Sequence, residues 1–316
     1  MTAGCSRRGA LTLLLAAGTL SACGKTVTDD VLRVGSQRGG TKAMMLASAM
    51  LADAGYRVEW SEFPAAQNLL EALGAQAVDL GTVGDAPFLF AYEGGKPIKV
   101  VQATRFVPRN VANAILVPGH SVITDIGGLR GRKVATGRGS IGHFLLLRAL
   151  ERANIGSRDI DIIFLPPGDA KAAFEARAVD AWAAWNPYVG AALLHDGARV
   201  LVDGRRVIEG YGFLVAAEQA ISDKAAILSD FLKRHARAQK WASDHPDAYG
   251  EVLARETGLP LGDARYLADR AMDVVPIDDK LLAIQRGVLQ TFVAANAATG
   301  QRPIRDGFDD RFDKPA

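Results

Sequence analysis

Cysteine is nearly missing from this sequence. Only Cys5 and Cys23 occur among 316 residues, and both lie near the start of the chain. The chain after Cys23 therefore contains no thiol group. The body of the chain is predicted to contain no disulfide, no thiol nucleophile and no cysteine-bound zinc.

Long apolar runs and an excess of one charge are also missing. After the first 22 residues, no stretch approaches the roughly 18 consecutive apolar residues that suggest a membrane-spanning helix. The 37 Lys and Arg exceed the 35 Asp and Glu only through Arg7 and Arg8 near the start. A chain with equal numbers of basic and acidic residues lacks the excess of positive charge that is typical of nucleic-acid-binding proteins. With 49% hydrophobic residues over 316 positions, the sequence predicts a well-packed globular protein of two domains.

Residues 1–22 have the composition of an export signal. The basic pair Arg7–Arg8 precedes an apolar segment over 10–20, which is too short to span a bilayer. Residues 20–23, Leu-Ser-Ala-Cys, resemble the processing pattern of lipoproteins. The resemblance implies cleavage before Cys23, lipidation of its thiol and a polar tether over 23–30. An ordinary signal peptide with an incidental cysteine is the alternative, and the export route, Sec or Tat, stays open.

Four segments share one pattern, in which a strand passes through a tight turn into a helix-like stretch. They cover residues 31–41, 78–87, 133–143 and 179–188. Strands and helices that alternate in this way predict an α/β fold with mostly parallel sheets. The backbone N–H groups at such helix starts favour anions. Four converging turns would form an anion-binding cleft that needs no metal, no cofactor and no catalytic group.

The rest of the chain adds an internal echo and a helical end. Residues 75–79, Ala-Gln-Ala-Val-Asp, are nearly repeated at 176–180, with a helix before and a turn after each copy. The echo suggests two lobes of related architecture that face a shared cleft, where ligands bind at the carboxyl ends of the strands. A helix is predicted over 41–54, and the chain is predicted to be almost wholly helical beyond Ser222.

Several longer motifs resemble the aliphatic-sulfonate-binding proteins of ABC importers. These motifs occupy residues 58–73, 114–118, 139–150 and 164–175. The resemblance extends from about residue 32 to about residue 292 and implies a type II periplasmic binding protein with two lobes, a cleft and two interlobe crossovers. It places the crossovers near 112–114 and 215–216. Residues 31–113 and 216–316 then form lobe I, and residues 114–215 form lobe II.

The same resemblance implies the function and the location of the protein. Together with the Leu-Ser-Ala-Cys pattern at 20–23, it implies a monomeric extracytoplasmic or periplasmic lipoprotein, anchored to a membrane through Cys23, that binds a small organic anion. The anion is expected to be an aliphatic sulfonate, which the protein delivers to the membrane permease of an ABC importer.

The implied ligand contacts lie in the turns and beside the second crossover. They are Gln37, Arg38, Thr82, Gly84, Asp85, Ser140, His143, Trp185, Asn186, Tyr211 and Phe213. A sulfonate is anionic at any biological pH and needs several donors but no proton. Ser140 can offer its hydroxyl and Gln37 its amide, while Trp185 and Phe213 can form apolar walls for the organic tail.

Structural roles compete with several of these contacts. Ser140 and Asp85 could act only as helix caps, and a carboxylate beside a bound anion would repel it. His143 could be a surface residue in a first helical turn. Trp185 could belong to the core, and Arg38 could be a solvated charge.

Two positions depart from the family pattern. The family commonly has a hydroxyl residue before the proline of the second turn, where this chain has Ala86. It commonly has an aspartate in the fourth turn, where this chain has Asn186. One donor is lost and one negative charge is neutralised, so the identity of the ligand stays open.

Two other functions stay open beside the importer. One is a sensory or partner-binding lipoprotein, and the other is a binding protein or enzyme like those of the thiamine-pyrimidine pathway. None of the five His has a partner at metal-binding spacing, and no serine lies in a Gly-x-Ser-x-Gly turn. The sequence therefore predicts no enzymatic activity.

Overall fold

The computed structural model describes residues 30–313, which form two β-sheets with helices on both faces. The strands are β1 (Val31–Gln37), β2 (Arg57–Phe63), β3 (Leu80–Gly84), β4 (Ile98–Pro108), β5 (Asn113–Pro118), β6 (Lys133–Thr136), β7 (Asp161–Phe164), β8 (Ala181–Trp185), β9 (Ala198–Asp203), β10 (Gly210–Ala217) and β11 (Arg270–Val275). The α-helices are α1 (Thr41–Ala47), α2 (Ala66–Gly74), α3 (Asp85–Glu93), α4 (Ile141–Arg152), α5 (Pro167–Glu175), α6 (Tyr188–Leu194), α7 (Glu218–Asp223), α8 (Ala225–Asp244), α9 (Pro246–Thr257), α10 (Leu261–Ala268) and α11 (Asp279–Ala294).

The two sheets have related strand orders. The first sheet runs β11-β4-β10-β3-β1-β2, and the second runs β7-β6-β8-β5-β9. In each sheet three parallel strands alternate with helices, and antiparallel strands complete one side. In parallel strands of this kind the carboxyl ends share one edge, so the turns that follow β1 and β3, and those that follow β6 and β8, lie together.

Each sheet is covered by apolar residues on both faces. On the first sheet, Phe88 and Phe292 belong to one cluster, and Phe231 and Tyr249 belong to another. On the second sheet, α4 contributes Leu145 and Leu146 to one cluster, while Trp182 lies in the other. This burial explains why β8 reads as an apolar run, whereas β2, at the edge of the first sheet, alternates and is only half-buried. Within residues 30–313, no helix is both long enough and apolar enough to cross a membrane.

The chain passes between the sheets twice. The first passage, over residues 109–112, joins β4 to β5, and the second, over 204–209, joins β9 to β10. The predicted second crossover at 215–216 falls inside β10, where Phe213 pairs with Val83 of β3 and Ala103 of β4. The second passage therefore lies earlier than the sequence predicted, and β10 belongs wholly to the first sheet.

Two other element predictions are corrected. The helix predicted over 41–54 ends at Ala47, and Ala49 adopts a left-handed conformation with φ of 53°. The helical end of the chain is interrupted by β11, which pairs antiparallel with the outer half of β4. The extension of β4 to Pro108 provides the edge on which β11 forms.

The sequence echo has a structural counterpart. Gln76 and Arg177 occupy equivalent positions after α2 and α5, and both have φ of 58°. The carboxylate of Asp79 accepts the Arg33 N–H at 2.8 Å, and that of Asp180 accepts the Lys133 N–H at 2.9 Å. Both copies thus fix the start of a central strand in the same way.

Candidate ligand-binding cleft

A cleft of about 850 Å³ lies between the two sheets and takes residues from both. This volume falls in the range of about 300–1,000 Å³ that is usual for sites of small organic ligands. The cleft is lined by most of the residues predicted from the sequence, namely Gln37, Arg38, Thr82, Gly84, Ser140, Trp185, Asn186 and Tyr211.

The first and second turns are joined by side-chain hydrogen bonds. The Gln37 amide donates to the Thr82 carbonyl at 3.0 Å. The Thr41 hydroxyl donates to the Thr82 hydroxyl at 2.7 Å. Thr41 opens α1 and lines the cleft, yet the sequence did not single it out. These bonds hold amide and hydroxyl groups at the carboxyl edge of the first sheet.

The third turn brings the start of α4 to the cleft. Ser140 is the N-cap, and its hydroxyl oxygen accepts the His143 N–H at 3.1 Å. Only 2% of Ser140 is exposed, although it lines the cleft. Because a hydroxyl can accept and donate at once, the capping bond leaves its proton available to an anion.

The fourth turn supplies an aromatic wall. Trp185 ends β8, lines the cleft and meets the Tyr188 ring edge-on, with centroids 6.0 Å apart. The Asn186 side-chain oxygen accepts the Gly190 N–H at 3.1 Å. Asn186 therefore stabilises the first turn of α6 and also borders the cleft.

Arg38 and Tyr211 also border the cleft but are already engaged. The Arg38 guanidinium donates to the Thr257 carbonyl at 2.6 Å, which ties the first turn to the end of α9. The Tyr211 hydroxyl donates to the Glu209 carboxylate at 3.2 Å. Burial raises the pKa of Tyr211, so its hydroxyl remains a donor.

Asp85 was predicted to contact the ligand but lies in the interior. It is fully buried at the start of α3, where one carboxylate oxygen accepts the Ala86 N–H at 2.7 Å. Burial raises the pKa of Asp85 to about 7. Ala86, where the family commonly has a hydroxyl residue, is also fully buried and does not line the cleft.

His143 and Phe213 are buried too and do not line the cleft. The His143 ring packs against Phe164 at a centroid distance of 4.9 Å and accepts the Gly139 N–H through Nδ1 at 3.2 Å. Burial lowers the pKa of His143 to about 4, so it offers an anion no charge at neutral pH. Phe213 lies edge-on between Phe88 and Phe308, in the core that covers the first sheet.

The cleft is rich in cationic side chains that the sequence analysis mostly missed. Its lining, as far as the structure describes it, contains one carboxylate, Glu209. The cationic residues are Arg38, Arg105, Arg205, Arg270 and Lys280. A cleft lined by one sign of charge attracts ligands of the opposite sign, so this cleft favours anions. No glycine turn or motif marks Arg105, Arg270 or Lys280, which explains why they were missed.

Among residues 30–313, no three His, Cys, Asp or Glu side chains converge as a metal-binding group. Cys23, the predicted lipidation site, lies outside the described residues.

The two sheets and the cleft between them show that this protein has the α/β fold of the periplasmic binding proteins. The fold class predicted from the sequence is thus confirmed. The chain belongs to the NMT1-like family, which matches residues 41–255. It is 35% identical over 288 residues to a putative aliphatic sulfonates-binding protein of Escherichia coli K12, with 90% of this chain and 89% of that protein covered.

Solved structures agree with this assignment. The alkanesulfonate-binding protein SsuA from Xanthomonas axonopodis pv. citri, bound to MOPS, superimposes with a TM-score of 0.80 and 28% identity, covering 88% of this chain and 98% of that one. The desulfurization enzyme DSZB superimposes with a TM-score of 0.63 over 90% of this chain and 97% of that one, but at 20% identity it shares the fold alone.

Proposed function

We propose that this protein is the solute-binding component of an ABC importer and holds one aliphatic sulfonate in the cleft. The observation that carries the proposal is the meeting of Ser140, Gln37 and Thr82 at a cleft whose charged residues are mostly cationic. A sulfonate needs hydrogen-bond donors and positive charge but no proton transfer. The names of the related proteins support the same ligand class.

The apolar part of the ligand fits the remaining lining. Trp185, Ile141 and Pro187 border the cleft beside the polar turn residues. A site that combines apolar walls with a few polar anchors is typical of organic ligands rather than of small inorganic anions. The proposed ligand is therefore a sulfonate with a carbon tail, which is bound and released unchanged.

The proposal includes a location outside the cytoplasm, a monomeric state and a lipid anchor on Cys23. The support is the Leu-Ser-Ala-Cys pattern at 20–23 and the periplasmic location of the relatives. Mass spectrometry of the membrane-associated chain should find residues 1–22 removed and diacylglycerol on Cys23. A mature chain without lipid would contradict the anchor and leave the ligand proposal unaffected.

A thermal-shift screen of the exported protein tests the ligand class. The panel contains alkanesulfonates, sulfate esters, nitrate and pyrimidines. A ligand at a hundredfold excess over its dissociation constant stabilises the folded state by about 2.7 kcal/mol, which raises the melting temperature measurably. We expect alkanesulfonates to give the largest rise. A rise with nitrate or pyrimidines alone would overturn the proposal.

A further inference from the structure

Arg270 reaches the cleft from a strand that the sequence did not predict. It opens β11, opposite Pro108 of β4, and lines the cleft. Its guanidinium carbon lies 5.5 Å from the centroid of the Phe106 ring, and its Nη2 donates to the Tyr249 hydroxyl at 3.5 Å. The Tyr249 hydroxyl in turn donates to the Gly39 carbonyl at 3.4 Å. This chain of contacts connects Arg270 to the first turn, beside Gln37 and Thr41.

The guanidinium of Arg270 is left with unused donors. Its Nε is buried without a hydrogen-bond partner. Within residues 30–313, no carboxylate forms an ion pair with Arg270, in contrast to Arg105, Arg109 and Arg205. The positive charge of this guanidinium is therefore not neutralised by a carboxylate of the described chain, and a bound anion in the cleft would neutralise it.

The other cleft arginines are each engaged by the protein itself. Arg205 pairs with Asp203 at 2.6 Å, and Arg105 lies 3.7 Å from Asp273. Arg38 donates to a backbone carbonyl at 2.6 Å. Arg270 differs from all three, because its only side-chain acceptor in the described part of the chain is the Tyr249 hydroxyl.

We propose that Arg270 binds the anionic group of the ligand directly and makes the site selective for charged over uncharged ligands. This inference rests on the proposed function and adds the residue that recognises the charge. The fork of N–H donors on a guanidinium matches two oxygens of a sulfonate as it matches a carboxylate or phosphate. Phe106 and Tyr249 hold the guanidinium in position, so little side-chain freedom is lost on binding.

The test compares a charged ligand with an uncharged one of the same shape. Butanesulfonate and butanesulfonamide are titrated calorimetrically into the wild-type protein, Arg270→Gln and the control Arg130→Gln, which changes an exposed arginine outside the cleft. We expect Arg270→Gln to weaken butanesulfonate binding by about 10- to 100-fold, in line with the loss of hydrogen bonds to a charged group. Sulfonamide binding should change less than about threefold, and Arg130→Gln should change neither ligand by more than that.

Several outcomes decide the matter. Arg270→Lys keeps the charge and should restore part of the lost sulfonate affinity, and thermal unfolding verifies that each variant is folded. Equal losses for both ligands, or unchanged sulfonate affinity in folded Arg270→Gln, would overturn the role of Arg270 while leaving the proposed function standing. Failure of the wild-type protein to bind butanesulfonate or any other alkanesulfonate would overturn both proposals.

Discussion

Ser140 combines a structural contact with a proposed binding contact in one hydroxyl. Ser140→Ala removes the acceptor for the His143 N–H and should lower the free energy of unfolding by about 1 kcal/mol. It should also weaken sulfonate binding by roughly 1 to 2 kcal/mol, since a hydrogen bond to a charged group is lost. Urea unfolding and calorimetric titration measure the two effects separately. Ser140→Thr keeps the hydroxyl and serves as the control, and an unchanged affinity beside a reduced stability would leave Ser140 with the cap alone.

Asp85 should make stability depend on pH. Burial raises the pKa of Asp85 from 3.8 to about 7 in the folded state, so the folded protein holds this proton more tightly than the unfolded chain. The stabilising contribution is complete below about pH 4 and is lost as the pH rises through about 7, a change on the order of 4 kcal/mol. Asp85→Asn should remove that decline.

Urea unfolding between pH 4 and pH 7.5 measures this difference. The exposed Asp273, whose side chain is 61% accessible, provides the control substitution Asp273→Asn. Parallel stability curves for the wild-type protein and Asp85→Asn would contradict the assignment of a proton to Asp85.

Turn chemistry made some cleft residues predictable, and tertiary contacts decided the others. Ser140 could be assigned to the start of α4 because serine is favoured at the position that caps a helix N-terminus. His143, three residues later, faces the interior because Phe164 and Phe292 cover that side of α4, and no local pattern encodes this cover. Arg270 depends on the pairing of β11 with β4, which is a long-range contact.

Among the connections between elements, the one from α2 to β3 and its counterpart from α5 to β8 each contain a residue with a strained backbone. Gln76 and Arg177 both hold a left-handed conformation, which costs a residue with a Cβ roughly 1 kcal/mol or more. Gln76→Gly and Arg177→Gly should each raise the free energy of unfolding by about 0.5 to 1 kcal/mol, after the greater freedom of glycine in the unfolded chain is subtracted. Urea unfolding measures both.

The control for this pair is Ala172→Gly, in the exposed part of α5, which should lower stability by about 1 kcal/mol. If all three glycine variants lost stability alike, the left-handed positions would carry no relievable strain.

Element types were largely predictable, whereas element ends were not. The alternating sequence of β2 is enough to mark it as a strand, because its side chains are alternately half-buried and exposed over most of its length. The predicted helix over 41–54 failed because its second half, Ser48 to Ala54, contains enough alanine and methionine to look helical although the chain turns at Ala49. The second crossover was placed too late in the chain because the sequence of β10 does not reveal which sheet it joins.

In the whole molecule, side-chain contacts join the two halves. His195, at the end of α6, lies 2.7 Å from Asp263 of α10, and the Gln67 amide donates to the Arg138 carbonyl at 3.2 Å. Two short passages, 109–112 and 204–209, are the covalent links between the sheets. We expect the halves to close on the ligand as a hinged pair. Small-angle scattering should show a smaller radius of gyration with saturating alkanesulfonate, and an unchanged profile would contradict closure.

The cleft is proposed to bind one aliphatic sulfonate. Calorimetric titration of the protein with butanesulfonate, and with pentanoate as a carboxylate of similar length, measures this binding. We expect one site per chain, tighter binding of the sulfonate than of the carboxylate, and loss of most of the sulfonate affinity in Arg270→Gln. The opposite result would be no binding of butanesulfonate or of longer alkanesulfonates, equal binding of pentanoate, or a stoichiometry other than one per chain.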